Sequence, residues 1–253
     1  EMKMIKFENL SLKIFEFSFL KKTNVTIIVK YIWETNVLSH IVEVIIGARS
    51  KTKEIILCSK KYKNVHTKKI KGKIEKIAAK SLANDKIIAL VNGKIEYGPR
   101  ALGNRSILAN PFNSETRNKL NLEIKRRPGF QPFCPVILEE ERKKFFSQSF
   151  QNNHMTIAFR MKKKYQKLFP SAIHVDGTAR PQFVNKNVNY RLYNILKEFK
   201  KITGYGILIN TSFNLHGRAM VLTAEDAYDD FTDCNLDELY IGEFLAKKLN
   251  NIE

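Results

Sequence analysis

What this 253-residue chain lacks narrows it first. Its three cysteines, Cys58, Cys134 and Cys234, are odd in number, far apart and form no CxxC pair, which argues against a disulfide framework and against a zinc site. A reducing cytoplasm is the expected compartment. No run approaches the roughly 18 uninterrupted apolar residues needed to cross a bilayer, and the N-terminus lacks the charged, apolar and small-residue order of a signal peptide. Neither His40 nor His66 has a second histidine at metal-ligand spacing. No Ser/His/Asp order points to nucleophilic catalysis, and no repeat period is visible. Acidic residues are the scarcer charge: 25 of them stand against 44 Lys and Arg, giving a formal +19. That excess favours phosphate-bearing partners. Much of it is scattered lysine, as in Lys60-Lys61, Lys68-Lys69 and Lys162-Lys163-Lys164, which weakens the inference. The chain opens on Glu1 rather than Met, and a processed, trimmed or fragmentary product is the expectation.

What is present is a chain 43% hydrophobic, enough for one large domain or a main domain with an appendage. Residues 1–72 are poorly legible. Apolar clusters over 5–19 and 25–33 have strand lengths, with Lys21-Lys22-Thr23-Asn24 as a turn between them. Residues 37–46 read as a strand or a short helix, and the lysine-rich 51–73 as an exposed connection or a surface strand. From there the order is clearer. Ile77, Ala78, Ser81 and Leu82 recur at helical spacing, Asn84-Asp85 closes that helix, and 86–91 is an apolar strand.

The strand feeds a turn, Gly93-Lys94-Ile95-Glu96-Tyr97-Gly98-Pro99-Arg100-Ala101-Leu102-Gly103-Asn104-Arg105-Ser106, with two arginines among glycines and a proline. Glycine lets backbone approach a ligand closely, and the arginine fork meets carboxylate or phosphate oxygens two at a time. An ordinary tight turn with solvated arginines accounts for the stretch equally well. Ser114 is the predicted N-cap of a helix over 114–124, with Arg117 on its outward face, that stops at Lys125-Arg126-Arg127-Pro128-Gly129. Next come an extended segment over 130–138, a short charged helix over 139–146, a strand over 155–159 and an exposed basic stretch over 162–169. A compact motif, His174-Val175-Asp176-Gly177-Thr178-Ala179-Arg180-Pro181-Gln182, follows. A helix over 189–202 buries Leu192, Ile195, Leu196 and Phe199 and stops at Gly204-Tyr205-Gly206. The strand over 207–209 runs into Asn210-Thr211-Ser212-Phe213-Asn214. Thr223 and Asp226 form a variant capping box, and Leu239-Tyr240-Ile241-Gly242 precedes a closing turn at Phe244-Leu245. Alternating strands and helices predict an α/β or mixed α+β layered fold.

Polar clusters stand at the ends of apolar elements: Arg100 with Arg105, Lys125 with Arg127, Asp176 with Arg180, and Ser212 with Asn214. Strand ends in layered α/β proteins are where ligands gather. Cations grouped with hydroxyl and amide side chains suit phosphates, and phosphoryl or nucleotidyl chemistry asks mainly for positioning and charge stabilisation.

The stretch Tyr97 through Leu108, the motif His174 through Arg180 and the run Asn210 through Asn214 closely resemble the C-terminal domain of the NodU/CmcH-type O-carbamoyltransferases. The likeness runs in order over roughly 74–249. It implies a YrdC/Sua5-like fold over 73–253, a twisted mixed sheet with flanking helices, behind a remnant or partial domain at 1–72. It also implies a reaction in which carbamoyl phosphate and ATP, with Mg2+, give a carbamoyl-adenylate, phosphate and pyrophosphate. A Kae1-like, actin-related domain carrying a histidine-bound metal would then pass the carbamoyl group to a sugar or antibiotic hydroxyl. Carried over by position, Lys125, Arg127, Ser212 and Asn214 would hold ATP phosphates. Arg100, Arg105 and Arg180 would be the catalytic cations on carbamoyl phosphate or its leaving phosphate. No residue is assigned to a metal. Asp176 would pair with one of these arginines or fix a turn with Gly177, His174 would orient a neighbour, and Asn104 and Thr178 would stand behind the contacts.

The likeness has gaps. Residues 1–72 are too few for the Kae1-like domain, and no His-x-x-x-His pair exists for its metal. Pro128, Gly129 and Gln131 stand where the family usually has an acidic residue, proline and arginine, and Pro181 replaces a usual aliphatic residue. The expectation is therefore the C-terminal piece of a split or truncated enzyme, served by a separate Kae1-like domain or subunit. Two other readings are an RNA-binding YrdC-like module and a folded, non-catalytic remnant. Nucleic acid is disfavoured, because the cations alternate with glutamate and no aromatic stacking platform is evident.

Overall fold

The computed structural model describes residues 52–96 and 98–249, together with the backbone of four strands before them. Those strands are β1 (Met2–Ile5), β2 (Leu12–Phe17), β3 (Ile27–Ile32) and β4 (Glu43–Ile46), paired antiparallel in that order. The expectations for Lys21-Lys22-Thr23-Asn24, His40 and Tyr97 lie outside the described residues.

The elements that follow are α1 (Thr52–Ser59), β5 (Val65–Lys69), α2 (Ile74–Ala83), β6 (Ile88–Val91), β7 (Ile95–Glu96) and β8 (Arg105–Ala109). Helix α3 (Glu115–Lys119) continues into a wider π-type turn over Leu120–Ile124 and is followed by β9 (Cys134–Leu138). Then come α4 (Arg142–Phe145), β10 (Phe159–Arg160), α5 (Lys163–Gln166), β11 (Thr178–Ala179) and β12 (Gln182–Val184). The chain closes with α6 (Tyr190–Thr203), β13 (Ile207–Ser212), α7 (Ala224–Thr232), β14 (Glu238–Ile241) and β15 (Phe244–Lys248).

Eight strands form one mixed sheet in the order β12-β9-β13-β8-β6-β14-β15-β5, and β7 instead joins β4. Pairs β12/β9 and β14/β6 are parallel and the others antiparallel. The fold is thus a mixed α/β sheet with flanking helices. Alternate residues of each strand face opposite layers, as a pleated strand requires. Ile88, Leu90, Leu108, Val136 and Leu208 meet α2 and α6 through Ala78, Leu82, Leu192, Ile195 and Phe199. Ala89, Val91, Ile107, Ile137, Ile207 and Ile209 face Phe145, Phe169, Tyr228 and Phe231.

Helix α6 forms where expected and for local reasons. Asn189 accepts from the Leu192 N–H at its start, and Gly204 closes it at φ 84°. Both halves of the Thr223–Asp226 capping box open α7. Elsewhere the structure corrects the sequence. Residues 52–59 are a helix, not an exposed connection: Ile55 and Cys58 are buried, and just beyond it Tyr62 stacks on Tyr228 at 5.1 Å. Residues 52–69, grouped by sequence with the first region, therefore sit on the main sheet. Ser114 is itself helical and caps nothing; Asn113 Oδ1 accepts the Glu115 N–H at 2.9 Å instead. Arg117 does not face outward freely, since its Nε is buried. The alternation over 155–159 yields a strand only at Phe159–Arg160, because Met155 adopts φ 56°. The basic stretch 162–169 hides a core face, with Tyr165 and Phe169 buried beneath its lysines. Phe244-Leu245 lies in β15, and the turn before it is made at Gly242, φ 55°.

Candidate functional site

The registers bring the motifs to one end of the sheet. Gln182 pairs with Val136, Asn210 with Cys134, Ser212 with Ser106, and Val91 with Arg105. The starts of β12, β9 and β8 and the ends of β13 and β6 therefore share an edge. Arg180, the 125–133 connection, Ser212-Asn214 and the Gly98–Arg105 loop all flank it.

Lys125 is the centre of the tightest group. Only 6% exposed, it donates through Nζ to Ser212 O at 2.5 Å, Asn214 O at 3.0 Å, Asn214 Oδ1 at 2.9 Å and Ser212 Oγ at 3.3 Å. Ser212 Oγ in turn donates to Asn214 Oδ1 at 2.6 Å. Burial, with the positive charge of Arg127 beside it, lowers the Lys125 pKa to about 7. Arg127 stacks its guanidinium 4.6 Å over the Phe133 ring and donates from Nε to Asn121 Oδ1 at 2.6 Å. Three of the four expected nucleotide ligands are thus in mutual contact, and the fourth is close enough to shift the lysine.

The Gly98–Asn104 loop is held from below. Glu96 Oε1 accepts the N–H groups of Leu102 at 2.6 Å and of Asn104 and Arg105 at 3.2 Å. Gln182 and Asn210 donate to Leu102 O and Ala101 O, each at 3.0 Å, and Asn189 donates to Asn104 Oδ1 at 3.1 Å. The two arginines of this motif part company. Arg105 is 0% exposed and donates to the carbonyls of Asn92, Gly93, Asn104 and Leu222, so its guanidinium ties the loop into the sheet. Arg100 is half-buried, and among the described residues no hydrogen bond or ion pair engages it.

In the second motif, Asp176 Oδ1 accepts from Thr178 N at 2.9 Å and from Thr178 Oγ1 at 2.7 Å, a self-contained turn around Gly177 at φ 79°. Of the two roles expected for Asp176 the structure shows the turn. His174 Nδ1 lies 3.0 Å from Thr178 Oγ1. Arg180 has a buried Nε without a partner, and it stands close enough to His174 to lower that imidazole's pKa, after burial the main cause.

Several organising residues escape sequence reading. Asn121 accepts from Arg127 Nε and donates to Gly129 O at 3.1 Å and Gln131 O at 2.9 Å, closing the loop after the helix. Asp230 accepts from Leu215 N at 3.1 Å and Arg218 Nη1 at 2.6 Å, fixing the chain beyond Asn214. Their only signal is a polar side chain on an otherwise apolar helix face. A cavity of about 780 Å³, lined by residues that include Ser149, Phe150, Phe159, Arg160 and Lys163, lies elsewhere, behind the Asp176-Gly177 turn, and none of the four clusters lines it.

The chain is similar to several known proteins. An uncharacterised protein of Methanocaldococcus jannaschii is 59% identical over 68% of this chain and 28% of its own length. Nodulation protein NolNO of Sinorhizobium fredii is 40% identical over 68% of the chain and 26% of its length. Nodulation protein U of Rhizobium fredii is 38% identical over 61% of the chain and 26% of its length. The chain therefore spans little more than a quarter of each of these relatives. Among solved structures, full-length HypF in its phosphate- and nucleotide-bound form is similar at a TM-score of 0.48 and 17% identity, over 73% of this chain and 22% of that one, too slight a likeness to bear on function. The family model described as Carbamoyltransferase C-terminus matches residues 79–248, and the chain belongs to that family.

Proposed function

We propose that this chain supplies the ATP- and carbamoyl-phosphate-binding part of a carbamoyltransferase. One observation carries the reading: the Lys125–Ser212–Asn214 knot and two arginines, Arg100 and Arg180, flank the same sheet end. Lys125, Arg127, Ser212 and Asn214 hold ATP phosphates, the charge of the lysine restored by the incoming anion. Arg100 and the terminal nitrogens of Arg180 hold the phosphate of carbamoyl phosphate and steady the charge that builds on it as it leaves. Arg105 keeps the loop in place from behind. Carbamoyl phosphate, ATP and one water balance against carbamoyl-adenylate, phosphate and pyrophosphate.

Among the described residues no group of three or more His, Cys, Asp or Glu could hold a metal ion. The donor set here is cationic and amide in character, so Mg2+ fits this site as the companion of the ATP phosphates rather than as a ligand of the chain. The acceptor is a sugar or antibiotic hydroxyl, and a separate Kae1-like domain or subunit delivers the carbamoyl group to it. The reaction is placed in the cytoplasm on the three scattered cysteines, which suit a reducing compartment. Among the described residues no helix is long and apolar enough to cross a membrane.

Exchange of labelled pyrophosphate into ATP tests the activation step. Exchange should depend on added carbamoyl phosphate, and Lys125→Ala should lower it at least tenfold, since a hydrogen bond to a charged group contributes about 1.5 to 3 kcal/mol. Folded protein that shows no such exchange would overturn the reading.

A further inference from the structure

Two buried nitrogens of one motif lack partners, His174 Nε2 and Arg180 Nε, and the Arg180 charge reaches the His174 ring. The hydrogen bonds around His174 fix which kind of atom the first one is. Thr178 Oγ1 carries one proton and gives it to Asp176 Oδ1 at 2.7 Å, and an ionised carboxylate can only accept. The contact of 3.0 Å between Thr178 Oγ1 and His174 Nδ1 must then be donated by Nδ1–H. The proton of a neutral imidazole is thereby placed, and Nε2 presents its lone pair. Burial and the neighbouring Arg180 charge both favour the neutral ring. Arg180 Nε–H is, by its chemistry, a donor.

An unmet donor and an unmet acceptor within one motif supply the complement of a primary amide, whose carbonyl accepts while its amine donates. We propose that Arg180 Nε and His174 Nε2 read the carbamoyl group itself, the first through its oxygen and the second through its NH2, so that His174 selects carbamoyl phosphate over other acyl phosphates. The inference rests on the reading of this site as one for carbamoyl phosphate, and it assigns to His174 a contact with substrate. The Asp176–Thr178 pair then acts at one remove, holding the imidazole tautomer that can accept. A methyl in place of the amine would leave Nε2 unmet, and sites built around a buried polar group reject analogues that cannot satisfy it.

Binding rather than turnover tests this. Carbamoyl phosphate, acetyl phosphate and inorganic phosphate are titrated calorimetrically into the full chain, into His174→Phe and into Thr178→Val, with melting curves to establish folding. The wild type should prefer carbamoyl over acetyl phosphate by about tenfold or more. His174→Phe should lose the preference for carbamoyl over acetyl phosphate, and Thr178→Val should reduce it. A preference kept in full by folded His174→Phe overturns the proposal, and so does one kept by Thr178→Val should the first variant not fold. Equal wild-type affinity for the two acyl phosphates also overturns it and leaves the wider reading standing. Failure of the wild type to bind any of the three removes both.

Discussion

Arg100 and Arg105, five positions apart in one motif, carry the same guanidinium and have opposite circumstances. Arg105 satisfies four backbone carbonyls inside the fold, whereas Arg100 stands half-buried at the site with no such engagement among the described residues. Removing a buried charged donor leaves its acceptors unmet and opens a void, at a cost of about 3 kcal/mol or more. Arg105→Ala should therefore lower the denaturation midpoint sharply. Arg100→Ala should leave that midpoint within about 0.5 kcal/mol of the wild type, as surface changes do, while weakening carbamoyl phosphate binding roughly tenfold or more. Chemical denaturation and calorimetric titration of both variants separate the roles. Equal stability loss in the two would show that burial does not divide them as described. Sequence alone could place both arginines at an anion-binding turn; it could not tell them apart, because the carbonyls that claim Arg105 come from 92–93, 104 and 222.

At the scale of elements, the Gly98–Asn104 loop lies against the first turn of α6, and Gly103 is the point of contact. At φ 105° it occupies a backbone region that side chains resist, and a Cβ there would stand 2.5 Å from Leu192 Cδ2 and 2.8 Å from Asn189 Nδ2. Gly103→Ala should cost about 2 to 4 kcal/mol of stability and displace the loop, since neither the helix cap nor the buried leucine can give way freely. Thermal melting and the pyrophosphate exchange would record the two effects; a variant with wild-type values for both would mean the loop is loosely seated. Elements with local determinants were legible, as α6 and α7 show: caps, apolar spacing and stop residues all lie within their own sequence. Helix α1 was not, because its lysine-rich surroundings mask a short buried face whose partner, α7, lies far along the chain. The run over 155–159 alternates as a strand does, yet a strand also needs a neighbour, and only Phe159 and Arg160 find one in β11. The site was legible as pairs of residues. That Lys125 meets Ser212 and Asn214 depends on the register of β13 against β8 and β9, which no single segment encodes.

Among the described residues buried charges hold both ends of the sheet. Lys125, Arg105 and the half-buried Arg180 gather where β12, β9 and β8 begin, with the carboxylates of Glu96 and Asp230 among them, and two further buried carboxylates hold the opposite end. Glu238, which pairs with Ile88, accepts from Ser81 Oγ at 2.7 Å, Tyr240 OH at 2.6 Å and the Nζ atoms of Lys86 and Lys247 at 3.0 Å, linking α2 to β14 and β15. Glu141 accepts from Gly206 N at 2.5 Å and from Lys144 and Lys200 at 3.0 Å, joining the end of β9 to the connection between α6 and β13. Burial alone would raise both carboxyl pKa values, but these hydrogen bonds outweigh it and hold them below the ordinary 4.5. A carboxylate depressed in the fold contributes stability that is fully present above its unfolded pKa and is lost as pH falls through the folded one. Acid also adds repulsion, because each protonated carboxylate raises a net charge that already stands at +19. The melting temperature should thus ease down slightly from pH 7 to 5, where protonating the buried His174 is unfavourable, and drop steeply below about pH 4. Added salt should recover the part due to repulsion and not the part due to the two buried groups. Glu238→Gln should melt lower than the wild type at pH 7, where it strands Lys86 and Lys247 beside a neutral amide, and should show a shallower acid slope, the two curves converging near pH 3. A wild-type curve level down to pH 3, or parallel curves for the two proteins, would mean that these carboxylates do not clamp the far end of the sheet.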